Sequence, residues 1–267
     1  MLALVLGGGA AKGYAHIGVL KVLEEMGIKP HIIVGASMGA LVGGFVAAGL
    51  SVQELVDISV KVDKKKKKWL FKLHLSKKGF VDGVNVVKYL NTHLGNKKIE
   101  ELPVKFCCIA TDIEENCQVV IDKGDLVQGI RAAISIPGVF MPHRYAGRVL
   151  IDGGFINPVP IRVAQELGAK KVIAVNVLRR VDYKSNILTS KTPSNKTYTI
   201  KKIVVETIDY VFSRLIDHEL SNMEDGILIN LNTKGIGLSH FEKAQEAIDL
   251  GYKQTQKYRK DLERFKC

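Results

Sequence analysis

Two apolar runs near the start of the chain are each followed by small residues and then by a helical pattern. The first run, Leu2–Leu6, precedes an amphipathic stretch over Tyr14–Met26, and the second, His31–Val34, precedes a helical stretch over Met38–Ala48. Continuous apolar runs are typical of strands that are covered on both faces of a sheet. Alternation of such strands with helices predicts a parallel sheet with right-handed crossovers, which places the chain in the α/β fold class.

The same alternation continues to about residue 178. A helix is expected over Pro158–Leu167, because proline suits the start of a helix and Gly168 suits the position after its end. Further strands are expected at Val104–Ala110, Gln118–Ile121, Val149–Asp152 and Val172–Val177. With 267 residues, of which 46% are hydrophobic, the chain is long enough to form the core of one large domain.

The rest of the chain begins with a polar, turn-rich segment, residues 179–196, which is typical of an exposed loop. A helix over Thr199–Leu220, a strand over Ile227–Leu231 and a long helix over Phe241–Phe265 are expected after it. We therefore expect a core made of residues 1–178 and a C-terminal extension, residues 179–267, that packs on the same domain.

One segment has the length and polarity of a membrane span. Ile32–Leu50 carries no charged residue. It also contains several glycines, each of which costs about 1 kcal/mol in a helix interior, and its first residues favour a strand. The pattern therefore favours a strand, a tight turn and a buried helix over a transmembrane helix.

The cysteines and the first residues indicate the compartment. Cys107, Cys108, Cys117 and Cys267 have neither the spacing of a zinc site nor that of a disulfide framework. The first residues lack the basic region of a signal peptide. The sequence therefore predicts a cytoplasmic protein with reduced thiols and with no metal or cofactor.

The chain is basic, with 39 Lys and Arg against 27 Asp and Glu and a net charge of +12. Such an excess favours an anionic partner. Lys64–Leu75 interleaves lysines with Trp69, Phe71 and leucines, a pattern that suits the surface of an anionic membrane, where the protein would bind peripherally. A solvated loop followed by a short strand or helix explains it as well, whereas nucleic acid is not expected because no recognised binding motif accompanies the charge.

The second strand leads into the motif G-x-S-x-G, formed by Gly35, Ser37, Met38 and Gly39 with Ala36 between them. In a nucleophile elbow this motif raises a serine onto a strained turn between a strand and a helix. The glycines let the flanking backbone pack closely, and the N–H of Met38 would point toward a developing oxyanion. Ser37 is therefore the candidate nucleophile.

The glycine loop after the first strand, GGGAAKG, must be compared with phosphate-binding motifs. Gly8 and Gly13 have the spacing of a P-loop, but Tyr14 follows where lysine is required. A dinucleotide fingerprint would need glycine or alanine in place of Lys12 and an acidic residue after Val34. The P-loop interpretation therefore fails, and a dinucleotide-binding loop survives only as a weak alternative.

The same loop lies one crossover from Ser37, so its backbone N–H groups suit an oxyanion hole in a shared pocket. Gly8 and Gly9 are the candidate donors. Lys12 is either a solvated lysine at a helix start or a source of positive charge near the oxyanion or a substrate phosphate.

A base is also needed, and the strongest candidate is Asp152, which ends an apolar strand and precedes Gly153 and Gly154. An aspartate before glycine is usually a turn or capping residue, so in isolation that interpretation is favoured. As a sole base, Asp152 would need its pKa raised by burial. The alternative is a Ser–His–Asp triad that uses His218 or His240, both of which fit exposed positions better.

In their order along the chain, these blocks resemble the patatin-like phospholipase family. The similarity extends to His16–Leu20 in the first helix and to Ala40–Gly43 in the second. It also covers Ala133–Pro142 and Leu150–Pro160, and thus about residues 1–178. Ala10 departs from the pattern, because many members have glycine there, and its methyl group is tolerable only if the backbone keeps a negative φ.

The resemblance implies a three-layer α/β sandwich with a mainly parallel central sheet between helices. It also implies hydrolysis of phospholipids or other acyl lipids by a dyad of Ser37 and Asp152. The oxyanion hole would be formed by Gly8, Gly9, Ala10 and Met38, and the supporting loop residues would be Gly7, Lys12, Gly13, Gly35, Gly39, Gly153 and Gly154. The rivals are a triad esterase or thioesterase and a non-catalytic protein that binds a nucleotide or anion on the glycine loop.

Overall fold

A mostly parallel β-sheet forms the centre of the molecule in the computed structural model, which describes residues 1–72, 81–180 and 199–266. The strands in this part of the chain are β1 (Leu2–Leu6), β2 (Ile32–Ala36), β3 (Lys105–Asp112), β4 (Cys117–Ile121), β5 (His143–Tyr145), β6 (Arg148–Asp152), β7 (Lys171–Asn176) and β8 (Gly226–Asn230). Their order across the sheet is β5-β6-β3-β2-β1-β7-β8, with β4 paired to β3.

The sheet is parallel at its centre and antiparallel at one side. β1 pairs in parallel with β2 and with β7, and the parallel pairing continues to β3 on one side and to β8 on the other. β4 and β6 pair antiparallel with β3, and β5 with β6. Since β2 and β7 lie on opposite sides of β1, the winding of the chain reverses there. The carboxyl ends of the strands at such a switch point are the usual ligand-binding edge of an open α/β sheet.

Helices cover both faces of the sheet. They are α1 (Ala15–Glu25), α2 (Met38–Ala47), α3 (Val52–Val60), α4 (Lys64–Leu70), α5 (Val84–Leu94), α6 (Leu126–Ala133), α7 (Ile161–Glu166), α8 (Ile200–Ser221), α9 (Ala244–Thr255) and α10 (Arg259–Leu262). A short 3-10 helix, Ala10–Tyr14, connects the glycine loop to α1.

The core is divided by the sheet, as the period of two in a strand requires. Leu4 and Leu6 of β1 belong to a cluster on one face, which contains residues of α1, α2 and α9, among them Ile17. Ala3 and Val5 belong to the cluster on the other face, which contains residues of α7 and α8. All five residues of β1 are buried, as are those of β2. The three-layer α/β architecture expected from the sequence is confirmed.

The chain after residue 198 joins both the sheet and a helical layer. β8 extends the sheet by pairing with β7. α9 packs directly on α1, and a methyl group on Gly18 would lie 2.2 Å from the carbonyl oxygen of Ile248. A methyl group on Gly251 would lie 2.1 Å from the carbonyl oxygen of Ala15. The backbones of the two helices are therefore in contact, with glycine on each side of the crossing.

The prediction of one continuous helix over Phe241–Phe265 is wrong. The segment is divided into a 3-10 turn, α9, a second 3-10 turn, α10 and a third 3-10 turn. α9 ends at Thr255, whose buried hydroxyl donates to the carbonyl oxygen of Gly251 at 2.7 Å. Such back-bonding to the preceding turn bends helices, so the buried threonine marks the break.

Several elements were not expected from the sequence, among them α3, α5, α6 and β5. α3 carried a clear signal, a capping box in which the Ser51 hydroxyl accepts from the Glu54 N–H while the Glu54 carboxylate accepts from the Ser51 N–H. The short strand β5 carried little sequence signal, because it has only three residues, His143–Tyr145, which pair with β6.

Ile32–Leu50 forms β2, a tight turn and α2, as predicted. Within the described ranges, no helix combines the length and the apolar character needed to cross a bilayer. Cys107, Cys108 and Cys117 are free thiols. The loop expected at 179–196 lies outside the described residues apart from Arg179 and Arg180, and so does the last residue of the chain, at position 267.

Candidate active site

The turn between β2 and α2 holds Ser37 in a strained conformation, with φ 51° and ψ −121°. This conformation is rare for a residue with a side chain and is characteristic of the nucleophile elbow. A methyl group on Gly35 would lie 2.4 Å from the Ala40 Cα, and one on Gly39 would lie 2.0 Å from the Leu6 carbonyl oxygen. Glycine is needed at both positions for close backbone packing, and the predicted strand, turn and helix are confirmed.

The sheet register brings Ser37 to Asp152. Ala36 in β2 is opposite Ile109 in β3, and the next residue of β3, Ala110, is opposite Asp152 in β6. The Ser37 Oγ donates a hydrogen bond of 2.5 Å to the Asp152 Oδ2. The two side chains, which are far apart in sequence, therefore form a direct pair.

The Asp152 carboxylate is held by its own loop. Its Oδ1 accepts a hydrogen bond of 2.8 Å from the Gly154 N–H. The backbone of Gly153 packs on β3, since a methyl group there would lie 2.2 Å from the carbonyl oxygen of Ile109. Both carboxylate oxygens thus have a fixed partner, which sets the orientation of the side chain.

Burial controls the charge of this aspartate. Asp152 is 2% exposed, and burial raises its pKa to about 7, although the hydrogen bonds from Ser37 and Gly154 act in the opposite direction. A base works best when its pKa lies near the ambient pH. Asp152 therefore has the proton affinity that a single base for Ser37 would need.

The glycine loop uses some of its own N–H groups for structure. The Gly7 N–H donates to the Val175 carbonyl at 3.0 Å, and the Gly8 N–H donates to the Pro158 carbonyl at 2.9 Å. The expectation that the Gly8 N–H would bind an oxyanion is corrected on this ground. A methyl group on Gly8 would lie 3.4 Å from the Ser37 Cβ, so this glycine instead gives the loop its close approach to the elbow.

Three N–H groups near Ser37 have no hydrogen-bond acceptor in the part of the chain that the structure describes. They belong to Gly9, to Ala10 and to Met38, the first residue of α2. The loop also packs tightly around them, since a methyl group on Gly9 would lie 2.4 Å from the Val177 Cγ2 and one on Gly13 would lie 2.4 Å from the Met38 Cγ. Free donors in a rigid loop suit the stabilisation of negative charge.

Ala10 does not keep the negative φ expected for it. Its φ is 47°, in the left-handed region where a side chain is unfavourable. The reason is local, because Ala10 follows Gly9, whose φ is 161° and ψ 11°, and turns the chain into the 3-10 helix Ala10–Tyr14. The alanine thus occupies a position that glycine would fill with less strain.

His16, in the first turns of α1, has a contact that the sequence did not reveal. It is fully buried, and its Nε2 lies 2.8 Å from the Gly7 carbonyl oxygen. Burial lowers the pKa of His16 to about 4, so the ring is neutral. Since a carbonyl can only accept, Nε2 carries the proton and donates. A single histidine within a helix pattern carries no signal for such a contact with the glycine loop.

An apolar cavity opens beside Ser37. Its volume, measured as the space that the centre of a water molecule can occupy, is about 100 Å³, and all space between the protein atoms, open solvent at the mouth included, is about 770 Å³. Ala10, Ser37 and Met38 line it, together with apolar side chains of α2, α3, α4 and α5. The rest of the lining comes from other parts of the chain, namely Tyr14, Val62, Phe71, Ile134, Ile136, Phe140 and Phe241. Its apolar lining suits a hydrocarbon chain. Two of the helices that line it, α3 and α5, were not expected from the sequence.

Lys12 lies away from this apolar cavity. It lines a separate polar cavity together with residues that follow β7 and β8. Among the described residues, no group of three or more His, Cys, Asp or Glu side chains is arranged to hold a metal ion.

The histidines of the alternative triad do not meet Ser37 in this structure. His218 is exposed on α8, and the His240 Nδ1 accepts a hydrogen bond of 3.1 Å from the Gly237 N–H. No histidine of the described ranges lines the cavity beside Ser37. The acceptor of the Ser37 hydroxyl is a carboxylate.

Comparison with known proteins identifies the family. A family profile described as Patatin-like phospholipase matches residues 4–164, which is more than half of the chain. The chain belongs to the patatin-like phospholipase family. The matched region contains the patatin-like glycine loop, the elbow with Ser37 and the segment with Asp152.

Relatives of this patatin-like chain include an uncharacterized NTE family protein of Mycobacterium tuberculosis. The two are 37% identical over 176 residues, which cover 66% of this chain and 49% of the relative. Lysophospholipase NTE1 of Debaryomyces hansenii is 30% identical over 179 residues, covering 66% of this chain and 12% of that protein. The chain thus spans about half the length of the mycobacterial relative and a small part of the yeast one.

A solved structure has the same fold. VipD from Legionella pneumophila superimposes with a TM-score of 0.52 at 15% identity, covering 97% of this chain and 66% of the VipD chain. At this identity the similarity supports the patatin-like fold alone.

Proposed function

We propose that the protein hydrolyses carboxylic esters of acyl lipids, of the phospholipid or lysophospholipid class, with Ser37 as nucleophile and Asp152 as base. The observation that carries the proposal is the 2.5 Å hydrogen bond from the Ser37 hydroxyl, which lines an apolar cavity, to a buried carboxylate. The name lysophospholipase, carried by the yeast relative, agrees with a lipid ester substrate.

In the first half of the reaction, the Ser37 Oγ attacks the ester carbonyl carbon while its proton passes to the Asp152 Oδ2. The N–H groups of Gly9, Ala10 and Met38 stabilise the tetrahedral oxyanion. The carbonyl re-forms as the ester C–O bond breaks, and the leaving alcohol takes the proton from Asp152. The acyl group is then bound to Ser37.

In the second half, Asp152 accepts a proton from water, and the resulting hydroxide attacks the acyl carbonyl carbon. The same N–H groups stabilise the second oxyanion. The bond to the Ser37 Oγ then breaks, Asp152 returns the proton to this oxygen, and the fatty acid leaves. Asp152 is ionised again at the end, so no proton or electron is left over.

The apolar cavity supports a lipid acyl group rather than a small polar substrate. Ser37, Leu41 and Phe45 line it and are spaced by four residues along α2, so they lie on one face of the helix. At about 1.5 Å per residue, the cavity follows this face for about 12 Å. An acyl chain attached at Ser37 would lie along this face.

The rival interpretations have less support. A nucleotide-binding loop would direct its N–H groups to phosphate, but the Gly7 and Gly8 N–H groups donate to the protein itself. A triad enzyme would need a histidine between Ser37 and Asp152, and the direct hydrogen bond leaves no place for one.

The experiment compares the hydrolysis of a panel of lysophospholipids, phospholipids and neutral lipids by wild type, Ser37→Ala and Asp152→Asn. Both substitutions should reduce kcat by at least about a thousandfold, because they remove the nucleophile and its base. A fluorophosphonate probe should label wild type but not Ser37→Ala. If either variant hydrolyses the lipids like wild type, the dyad is wrong.

We also propose that the surface of α4 binds an anionic membrane. Lys64, Lys65, Lys68 and Trp69 are exposed there, whereas Leu70 is buried and lines the apolar cavity. Lysines near an anionic surface contribute about 1 kcal/mol each. Residues 73–75 of the basic stretch lie outside the described ranges.

The matched test changes Lys64, Lys65 and Lys68 together to Gln and measures sedimentation with vesicles that contain phosphatidylserine. The control changes Lys253, Lys257 and Lys260, three exposed lysines near the C-terminus, to Gln. Only the first variant should lose binding, although both lose the same charge. Equal losses would mean that net charge alone attracts the protein, and would contradict a specific surface on α4.

A further inference from the structure

A second cavity lies at the edge of the sheet where its winding reverses. Its volume, measured as the space that the centre of a water molecule can occupy, is about 570 Å³. It is lined by Lys12, which follows β1, by Leu178–Arg180, which follow β7, and by Asn230–Lys234 at the end of β8. These are the carboxyl ends of neighbouring parallel strands around the switch point beside β1, where open α/β sheets usually bind ligands.

Side-chain amides, of which Asn176 is fully buried, hold the strand ends at this cavity in place. The Asn176 Nδ2 donates to the Asn230 Oδ1 at 2.7 Å and to the Leu178 carbonyl at 2.9 Å. The Asn176 Oδ1 accepts from the Leu178 N–H at 3.0 Å. Asn176 is fully buried, so one amide connects the ends of β7 and β8.

The rim is fixed in the same way. The buried Thr233 hydroxyl donates to the Val177 carbonyl at 2.9 Å, which links the loop after β8 to the loop after β7. The Asn232 N–H donates to the Gln254 Oε1 at 2.8 Å, which links the first loop to α9. The cavity therefore has a preformed wall of hydrogen-bonded loops, as small-molecule sites usually do.

The charge of the lining is positive. Lys12, Arg179, Arg180 and Lys234 line the cavity with a single acidic side chain among the described residues, Asp209. Arg179 and Arg180 already have ion-pair partners on α8, namely Glu206 and Asp217. Lys12 and Lys234 have no acidic partner within the described ranges. Two ammonium groups are thus available to an anion.

The cavity shares a wall with the candidate active site. The 3-10 helix Ala10–Tyr14 separates the two, with Ala10 lining the apolar cavity beside Ser37 and Lys12 lining the polar one. This wall therefore has two different sides. Ala10 faces the apolar cavity with the candidate nucleophile, and Lys12, two residues later in the chain, faces the cationic cavity.

We propose that this polar cavity binds a phosphate ester through Lys12 and Lys234. The inference rests on the proposed function where it takes this phosphate to be the head group of the lipid whose acyl chain lies beside Ser37. The same chemistry is offered by a free phosphate ester, such as glycerol 3-phosphate, acting as an effector. The apolar cavity would then select the acyl chain, and the polar cavity would select lipids that carry phosphate.

The first arm of the experiment uses two substrates that share an acyl chain, palmitoyl lysophosphatidylcholine and monopalmitoylglycerol. The measured quantity is the KM for the phospholipid divided by the KM for the neutral lipid. This ratio should rise about tenfold in the double variant Lys12→Gln with Lys234→Gln, and by less in each single variant. Lys253→Gln, at an exposed lysine of α9 that lines neither cavity, is the matched control and should leave the ratio as in wild type. Lys234→Arg should retain most of the wild-type ratio, since it retains the charge.

The second arm measures the binding of glycerol 3-phosphate and glycerophosphocholine to wild type and to the double variant by calorimetry. Binding that the double variant loses, with competition against the lysophospholipid, supports the head group as the ligand. Binding that the double variant loses, without competition, supports a free phosphate ester. No binding to wild type together with an unchanged KM ratio overturns the proposal.

The two proposals fail separately. If Ser37→Ala still hydrolyses lipids, the proposed function is wrong, while calorimetry still decides whether the cavity binds a phosphate ester. If Ser37→Ala is inactive and the double variant changes neither readout, only the phosphate site is wrong. Circular dichroism of each variant shows whether a change comes from a loss of folding.

Discussion

The Ser37 hydroxyl donates directly to the Asp152 carboxylate at 2.5 Å, and the two side chains are 5% and 2% exposed. The relationship depends on two kinds of constraint. A strained elbow orients the serine, and a short 3-10 turn after β6 holds the carboxylate. Since burial also raises the pKa of Asp152, the same geometry supplies both proximity and proton affinity.

The pH dependence of the reaction follows from this pKa. Asp152 acts as a base only when ionised, and its pKa is raised to about 7. We expect kcat/KM on a lysophospholipid to rise tenfold per pH unit below about pH 7 and to level off above it. His218→Gln and His240→Gln should leave the profile unchanged. A midpoint near the ordinary aspartate value would show that the base is not the buried Asp152.

Asp152→Asn should be inactive but more stable at about pH 8. Between its ordinary pKa of 3.8 and its folded value of about 7, the folded state retains a proton that the unfolded state has released. The free energy of unfolding therefore falls as pH rises through this window. Asparagine carries no charge and so removes this cost. At about 1.4 kcal/mol per pKa unit, the free energy of unfolding of the variant should be higher than that of wild type by up to a few kcal/mol at about pH 8. At about pH 4 the difference should be small.

The control for this measurement is Asp112→Asn. The Asp112 carboxylate accepts from Arg148 at 2.8 Å, and this partner lowers its pKa. Its substitution should therefore destabilise the protein at about pH 8, in the opposite direction to Asp152→Asn. Urea unfolding at the two pH values measures both changes. A loss of stability in Asp152→Asn at about pH 8 would contradict the burial of an unfavourable charge.

The elements that carry the candidate dyad were predictable because their signals are local. β1 and β2 are continuous apolar runs, and the G-x-S-x-G motif, placed between a predicted strand and a predicted helix, predicts a tight turn before α2. Asp152 ends an apolar strand before two glycines, a local pattern that by itself favours a turn residue, and the family resemblance supplied its expected role as base. These patterns need no information about distant contacts.

The rest of the site depends on contacts between distant parts of the chain. The Gly8 N–H donates to the Pro158 carbonyl, and Phe241, from beyond β8, lines the apolar cavity beside Ser37. Neither contact leaves a periodic pattern in the sequence. The positive φ of Ala10 was not predictable either, because alanine is a residue that usually avoids it.

Ala10→Gly should stabilise the protein. The left-handed conformation costs an alanine about 1–2 kcal/mol, and glycine removes this strain. The greater freedom of glycine in the unfolded state offsets about 0.4–1 kcal/mol of the gain. A net gain of about 0.5–1 kcal/mol is therefore expected in urea unfolding. Ala146→Gly, at a φ of 51° in the turn between β5 and β6, is the matched control and should show a similar gain. Ala10→Val should be destabilised, and a stable valine variant would contradict the strain.

Leu41→Trp should shorten the acyl cavity. Leu41 lies between Ser37 and Phe45 on the cavity face of α2. A larger ring there should block long chains while leaving room for short ones. We expect the ratio of kcat/KM for p-nitrophenyl palmitate over the butyrate to fall by about tenfold or more, as expected when buried apolar contacts are lost. Leu41→Ala widens the cavity and should not reduce the ratio, and equal losses for both esters would contradict this placement of the acyl chain.

The Lys67 Nζ lies 3.1 Å from the Glu242 Oε2, which joins α4 to the turn before α9. Directly beside this pair, Phe71 and Phe241 pack with ring centres 5.0 Å apart, and both line the cavity of the buried Ser37. We expect lipid to enter past this wall, so Glu242→Gln should raise kcat/KM on neutral vesicles. The increase should be at most about fivefold, because a partly exposed ion pair shifts an equilibrium by no more than that.

The matched control is Glu246→Gln, which breaks the 3.0 Å pair with Lys243 in the same part of the chain and makes the same charge change. It should leave kcat/KM as in wild type, because neither partner lines the cavity. Lys67→Met should act like Glu242→Gln, and the double variant should add nothing further, since the pair is already broken in each single variant. An equal increase in Glu246→Gln would mean that added positive charge, rather than opening of the wall, is responsible.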